Sequence, residues 1–224
     1  MCGRYGYFPS NFADLRVRWN LDNDPSLFAA RYNICPGQDV PVIINSHGSN
    51  RIGPMRWGLV PSWAQDEKIG YKMINARSES LAERPAFKEL LERRRCLIPS
   101  TGFYEWRQGE AGKVPYFIYL KNQEPFAFAG LWDLWRKRDG SKLATCTIVT
   151  TAANPMMQPL HPRMPVILQR EHEQHWLETG AAGFATVRSL LKAYLAELMA
   201  FHPVSPLVNT PVNDRVECTL PVGD

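Results

Sequence analysis

Pro115-Tyr116-Phe117-Ile118-Tyr119-Leu120, Pro125-Phe126-Ala127-Phe128-Ala129-Gly130-Leu131 and Leu143-Ala144-Thr145-Cys146-Thr147-Ile148-Val149-Thr150-Thr151 follow one another along the chain with short polar connections. Each run is rich in β-branched, aromatic and small apolar residues, and Pro, Gly, Asn or Asp lies in the connections, which is the pattern of a strand. Three such runs with no helical period between them argue against a doubly wound parallel sheet, in which strands alternate with crossover helices. Val40–Asn45 and Met164–Leu168 read the same way. Helical spacing is confined to Asn11–Trp19, Leu81–Arg94 and Val187–Ala200; the last carries Leu190, Leu191, Tyr194, Leu195 and Leu198 at three- and four-residue intervals. The expected fold class is α+β, with a curved, mainly antiparallel sheet in one domain over residues 1–224. Eighteen prolines spread through the chain predict short elements and ordered turns.

With 224 residues and 45% hydrophobic content the chain can bury one well-packed core. The net charge of +4 does not by itself declare a nucleic-acid binder, but its distribution is informative. Residues 1–107 carry 15 Lys and Arg against 11 Asp and Glu, while residues 108–224 carry 11 of each. Arginine outnumbers lysine 18 to 8, and a planar guanidinium fork suits phosphate or carboxylate. The apolar runs at Val40–Asn45 and Cys146–Ala153 are far shorter than the roughly 20 residues that cross a bilayer. The N-terminus lacks the basic-then-apolar layout of a secretory signal, so a reducing cytosol is expected. None of the five cysteines, at 2, 35, 96, 146 and 218, forms a Cys-x-x-Cys pair, which argues against structural zinc.

Cys2 is the first chemical anomaly. Removal of Met1 leaves a cysteine whose thiol lies beside a free α-amine, and both groups are partly nucleophilic near neutrality. The thiol can attack an amide carbonyl with the amine as base, or the amine can condense with an aldehyde and the thiol close a thiazolidine. The bland alternative is a small buried residue. Gly3 permits close backbone approach, and Arg4 places a phosphate-competent charge two residues away.

Other segments must supply the acid, base and orienting groups. Asn75 and Arg77 lie two apart, so in an extended stretch they face one side, as carboxamide and guanidinium. Thr101-Gly102-Phe103-Tyr104-Glu105-Trp106 sets one carboxylate among aromatics, where burial favours its neutral form. His161 follows the proline-bearing loop Asn154–Leu160 and leads into a strand. A turn asparagine, a surface arginine and a strand-edge glutamate are the plain counterparts. His172 and His175 read as a solvated helix face, and Arg93, Arg94 and Arg95 as the coat of a helix end. Trp57 and Trp106 fit a core, whereas Trp63, in a turn-like stretch, can stack on a base.

The chain carries Met1-Cys2-Gly3-Arg4, Arg31-Tyr32-Asn33 before Pro36-Gly37, Arg56-Trp57-Gly58-Leu59-Val60-Pro61, Ile74-Asn75-Ala76-Arg77, Gly102-Phe103-Tyr104-Glu105-Trp106, His161-Pro162-Arg163-Met164-Pro165 and His202-Pro203-Val204-Ser205. This ordered set, from residue 2 to about residue 209, resembles the SOS response-associated peptidase (SRAP) family. The resemblance implies a barrel-like core and a protein that binds single-stranded DNA and crosslinks to abasic sites. By it, Cys2 forms a thiazolidine with the ring-opened sugar and Asn75 orients the Cys2 amine and the sugar. Glu105 serves sugar ring opening and imine formation as acid and base, and His161 assists proton transfer and reversal. Arg4 and Arg77 match positions that hold phosphates, with Trp63 and Trp106 near the DNA groove. The family name reflects a proposed self-cleaving removal of Met1. No cofactor and no metal is expected, nor any membrane; a monomer in the cytoplasm, on the nucleoid if bacterial, is.

Two rival readings stand beside this one. A class II glutamine amidotransferase-like hydrolase also matures to a Cys-Gly N-terminus, although no Asn-Gly oxyanion pair stands in the right context. A non-covalent single-stranded DNA binder would leave Cys2 incidental.

Overall fold

The computed structural model describes residues 2–110, 112–179 and 183–223. Its first half runs β1 (Tyr5–Tyr7), α1 (Phe12–Arg18), β2 (Arg31–Ile34), β3 (Asp39–Ser46), β4 (Ser49–Trp57), β5 (Asn75–Arg77), α2 (Pro85–Arg93), β6 (Arg95–Ser100) and β7 (Gly102–Gly109). There follow β8 (Gly112–Leu120), β9 (Phe126–Arg136), β10 (Lys142–Ala152), β11 (Arg163–Pro165), α3 (Arg170–Leu177), α4 (Phe184–Val187) and β12 (Met199–Pro203). The strands read from residues 40–45, 115–120, 125–131 and 143–151 are all present as parts of β3, β8, β9 and β10. The run Met164–Leu168 is cut short at Pro165, with Ile167 making a separate bridge to Phe128.

Strands β10, β4, β3, β6 and β9 are hydrogen-bonded in that order, and β9 pairs β10 again, so the five close on themselves. Closure leaves none of the five as an edge strand, although β4 meets β10 only through Arg56 and Trp57. Among the described strands β10 pairs in parallel with β4 and with β5, and the other strand pairings are antiparallel. A second sheet, in the order β12-β8-β7-β1-β2, lies against this barrel. Side chains alternate across its strands. Tyr5 and Phe103 pack edge-on to Phe128 of the barrel, whereas Tyr104, Phe117 and Trp106 form a separate cluster with Val204, Val208 and Cys218 on the far face.

Strand β10 outlasts the barrel, and this decides where the site lies. At Thr145 its neighbours are Arg56 of β4 and Asp133 of β9; at Thr150 they are Arg77 of β5 and Pro165 of β11. The far half of β10 thus holds β5 on one edge and β11 on the other.

Two helical expectations are corrected. Residues 187–200 do not form one helix: α4 gives way to 3₁₀ turns at Arg188–Leu190 and Ala196–Leu198, and Met199–Pro203 become β12. Pairing of Met199–Pro203 with Leu120–Tyr116 satisfies the edge of β8, and it overrides a pattern whose Leu195 and Leu198 are exposed. The helix read from Leu81 starts at Pro85, which fits the first helical turn because its missing N–H has no partner to lose there.

Arg95 is also corrected. It does not coat a helix end but is buried at the start of β6, donating to the carbonyls of Leu91 (2.6 Å), Trp176 (2.7 Å) and Glu178. One guanidinium thereby caps α2 and ties α3 to the barrel.

Gly102 marks the tightest strand contact. A Cβ there would meet Phe117 Cζ at 2.1 Å and the backbone oxygen of Ile118 at 2.8 Å. Gly102→Ala is expected to destabilise the protein by about 2–3 kcal/mol, because the second contact is with backbone and cannot swing aside. Urea unfolding checks this; a variant within error of wild type would refute it.

Candidate active site

Cys2 sits just ahead of β1, fully buried in the main core. Its thiol donates a weak hydrogen bond to the carbonyl of Arg4 at 3.8 Å. Burial pushes the thiol far above its ordinary pKa, and the negative charge of Glu105 pushes in the same direction. A thiol so placed stays protonated at neutral pH.

Asn75 reaches Cys2 from β5, its Nδ2 donating to the Cys2 carbonyl at 2.8 Å. Two neighbours fix β5: the parallel pairing of Asn75–Arg77 with Ile148–Thr150, and Trp57, whose Nε1 donates to the carbonyl of Ile74 at 2.8 Å. Trp57 is accordingly core. The other amide atom, Asn75 Oδ1, is buried and accepts no hydrogen bond. Such atoms are rare in folded proteins and call for an explanation.

Glu105 lies on β7 two residues after Phe103, hence on the barrel-facing side with it. It is 5% exposed. Burial raises the carboxyl above its ordinary range, and the charge of His161 acts against that rise. Its sequence neighbours Tyr104 and Trp106 point to the opposite face. What buries Glu105 is its position between sheet and barrel, and not the aromatic run in which it stands.

His161 comes from the loop between β10 and β11. Asn154 shapes that loop, accepting from the Met157 N–H at 2.9 Å and donating to the Tyr194 carbonyl at 2.8 Å. His161 Nδ1 lies 2.9 Å from the Arg163 N–H and 3.0 Å from the Arg163 carbonyl oxygen, so the backbone of Arg163 holds that edge of the ring. Four segments far apart in sequence thus deliver a thiol, a carboxamide, a carboxyl and an imidazole to one place.

The remaining candidates are spread more widely. Arg77 ends β5 and is exposed. Arg4 is half-buried: its Nη1 donates to Asn33 Oδ1 at 2.7 Å and to the Val208 carbonyl, and its guanidinium lies 5.8 Å from the ring centroid of Trp106. Trp106 donates to Asn209 Oδ1 at 2.8 Å. Trp63 is 61% exposed on the turn after β4, where Asp133 accepts from the Ser62 N–H at 2.7 Å. It lines a cleft of about 300 Å³ with Pro85, Glu89, Arg93 and Arg94. No helix among the described residues is long and apolar enough to cross a membrane.

Asn33, Asp214, Glu79 and Arg163 gain importance that the chain alone did not announce. Asn33 Nδ2 donates to the carbonyls of Val208, Thr210 and Asn213, while Asp214 accepts from the backbone of Tyr32 and Asn33; together they clasp the C-terminal segment over Arg4. Only the motif segments Arg31-Tyr32-Asn33 and His161-Pro162-Arg163 signalled two of the four.

Comparison with known proteins bears on the family of the chain. The family model described as SOS response associated peptidase matches residues 1–211. The chain is 46% identical over 220 residues to the abasic site processing protein YoqW of Bacillus subtilis strain 168, covering 97% of this chain and 98% of that protein. It is 33% identical to the abasic site processing protein HMCES of Rattus norvegicus, covering 88% of this chain and 67% of that protein. A solved structure from Bacteroides thetaiotaomicron superposes with a TM-score of 0.86 at 29% identity, over 97% of this chain and 98% of that one. With a family model spanning nearly its whole length and a relative of 46% identity, the chain belongs to the SOS response associated peptidase family.

Proposed function

We propose that this protein processes abasic sites by binding single-stranded DNA and joining Cys2, freed of Met1, to the ring-opened deoxyribose. Hydrolysis of the Met1–Cys2 peptide bond, which consumes one water, liberates the amine. The amine adds to the aldehyde carbon, and loss of water gives an imine. The S–H of Cys2 then adds across the C=N bond, sulfur to carbon and proton to nitrogen, closing a thiazolidine. Addition of water to the reopened imine reverses the link.

The observation that carries this reading is the convergence on Cys2: Asn75 bonded to its carbonyl, with Glu105 acting electrostatically on its thiol and His161 on Glu105. Asn75 Oδ1 is an unused acceptor beside Cys2, suited to the N–H of a freed amine. A carboxyl whose pKa is raised by burial is suited to donate to the sugar oxygen as the ring opens and to the departing water. A thiol kept protonated by burial suits amine-first chemistry, in which it adds only after the imine has formed. The deciding experiment mixes protein lacking Met1 with single-stranded DNA bearing one abasic site and weighs what survives denaturation. An adduct mapped to Cys2 is expected; no adduct would refute the reading and make glutaminase activity the next assay.

Arg77, exposed at the end of β5, is the phosphate contact in this reading. Arg77→Ala is expected to weaken binding equally across sequences and to lower the slope of log affinity against log salt by about 0.7, the value for one phosphate on a single strand. A titration at several salt concentrations checks it, and an unchanged slope would remove Arg77 from the phosphate track.

A further inference from the structure

Arg163 joins the imidazole to the rim of the site through two parts of one residue. Its backbone N–H lies 2.9 Å from His161 Nδ1 and its carbonyl oxygen 3.0 Å from the same nitrogen; the N–H can only donate, which argues for Nδ1 as the acceptor. Its guanidinium forks onto Glu79, with Nη1 to Oε1 at 2.7 Å and Nη2 to Oε2 at 2.9 Å, and Nη2 also donates to the Thr150 carbonyl at 2.7 Å. The pair is unequal: the Arg163 side chain is 17% exposed and that of Glu79 55%. Most surface ion pairs contribute little, but a bidentate fork that also bonds the backbone of β10 has one preferred geometry. The hydrogen bonds from Arg163 hold the Glu79 carboxyl below its usual range, so the pair is charged at neutral pH.

We propose that Glu79 is a positioning residue for His161. By anchoring the Arg163 side chain to β10, it keeps the Arg163 N–H on Nδ1 and so reserves Nε2 as the protonated nitrogen of the imidazole. Neither Glu79 nor the Arg163 guanidinium need touch the reacting atoms. The consequence for chemistry rests on the abasic-site reading, because there His161 and Glu105 share the proton traffic around Cys2. The positioning itself does not depend on that reading.

The test uses full-length protein and two measurements. Long-range ¹H–¹⁵N correlation spectra of the histidine side chains report the tautomer: wild type should show the Nε2–H form at His161, Glu79→Ala a mixture of tautomers, and Glu79→Gln, which keeps one acceptor oxygen, an intermediate pattern. Arg163→Lys, which retains charge but not the fork, should behave as Glu79→Ala does. Adduct formation on abasic single-stranded DNA should slow about tenfold in Glu79→Ala, as expected of a displaced proton-transfer group, with DNA affinity no weaker than wild type. A wild-type tautomer in Glu79→Ala overturns the proposal whatever the rate does. A mixed tautomer with an unchanged rate overturns its link to catalysis. Should wild type form no adduct, the abasic-site reading fails and the spectra alone decide the positioning.

Discussion

Cys2→Ala is expected to abolish the denaturation-resistant adduct, lowering its yield by more than about 10²-fold, while binding of single-stranded DNA and its salt sensitivity persist. Alanine keeps the α-amine, so an imine can still form, but no sulfur is present to trap it as a ring, and water returns it to aldehyde and amine. Affinity should survive because the arginines and exposed aromatics expected to meet DNA lie outside the Cys2 side chain. Cys2 is fully buried, so losing its sulfur also leaves a small cavity at about 1 kcal/mol. Two assays separate these effects: gel analysis after heating in detergent for the adduct, and fluorescence anisotropy for binding. Equal adduct from the variant would sink the thiazolidine reading, and loss of binding with loss of fold would show as a collapsed urea transition.

Glu105→Gln is expected to slow both formation and reversal of the adduct by about 10²-fold with DNA affinity nearly unchanged, because the amide fills the same space but cannot carry the proton. A second consequence concerns stability. Burial raises the Glu105 carboxyl in the folded protein, so this group's contribution is fully present below the unfolded-state pKa and is lost as pH rises through the folded one. Above that window the wild type holds a carboxylate in a buried place, and glutamine does not. Glu105→Gln should therefore melt higher than wild type at pH 8, with the difference shrinking on acidification. Calorimetry at several pH values checks the sign; a variant that melts lower at pH 8 would mean that the folded site stabilises the carboxylate. Unchanged rates with a large loss of affinity would instead place Glu105 among the DNA contacts.

Local pattern was sufficient wherever one period dominated. The runs at residues 115–120, 125–131 and 143–151 contain no competing helical repeat and became β8, β9 and β10. The helical stretch read at 11–19 became α1, with Asn11 as its cap, the Asn11 side chain accepting from the Ala13 N–H. Residues 187–200 failed because an amphipathic pattern states only that a segment has an apolar side, whereas the open edge of β8 offered five residues of ladder to it. Arg95 failed for a related reason. Its place after two arginines suggested solvent, yet three backbone carbonyls, one in α2 and two at the end of α3, were waiting to be satisfied.

The site divides along the same line. From the chain alone came the expected chemistry: a 1,2-aminothiol at residue 2 once Met1 is removed and, through ordered motif segments, the names of Asn75, Glu105 and His161. Strand period even set Asn75 and Arg77 two apart on one strand, and that needed no partner to be read. What the chain could not state is which of these side chains meet. Glu105 shares its sequence with Tyr104 and Trp106 but its space with Cys2, because neighbours on a strand face opposite ways. Glu79 and Arg163 are 84 residues apart, and only the far half of β10, with β5 on one edge and β11 on the other, brings them together. Residue types and short-range spacing determine what chemistry is available; long-range strand pairing, which no local repeat encodes, decides which groups share a proton.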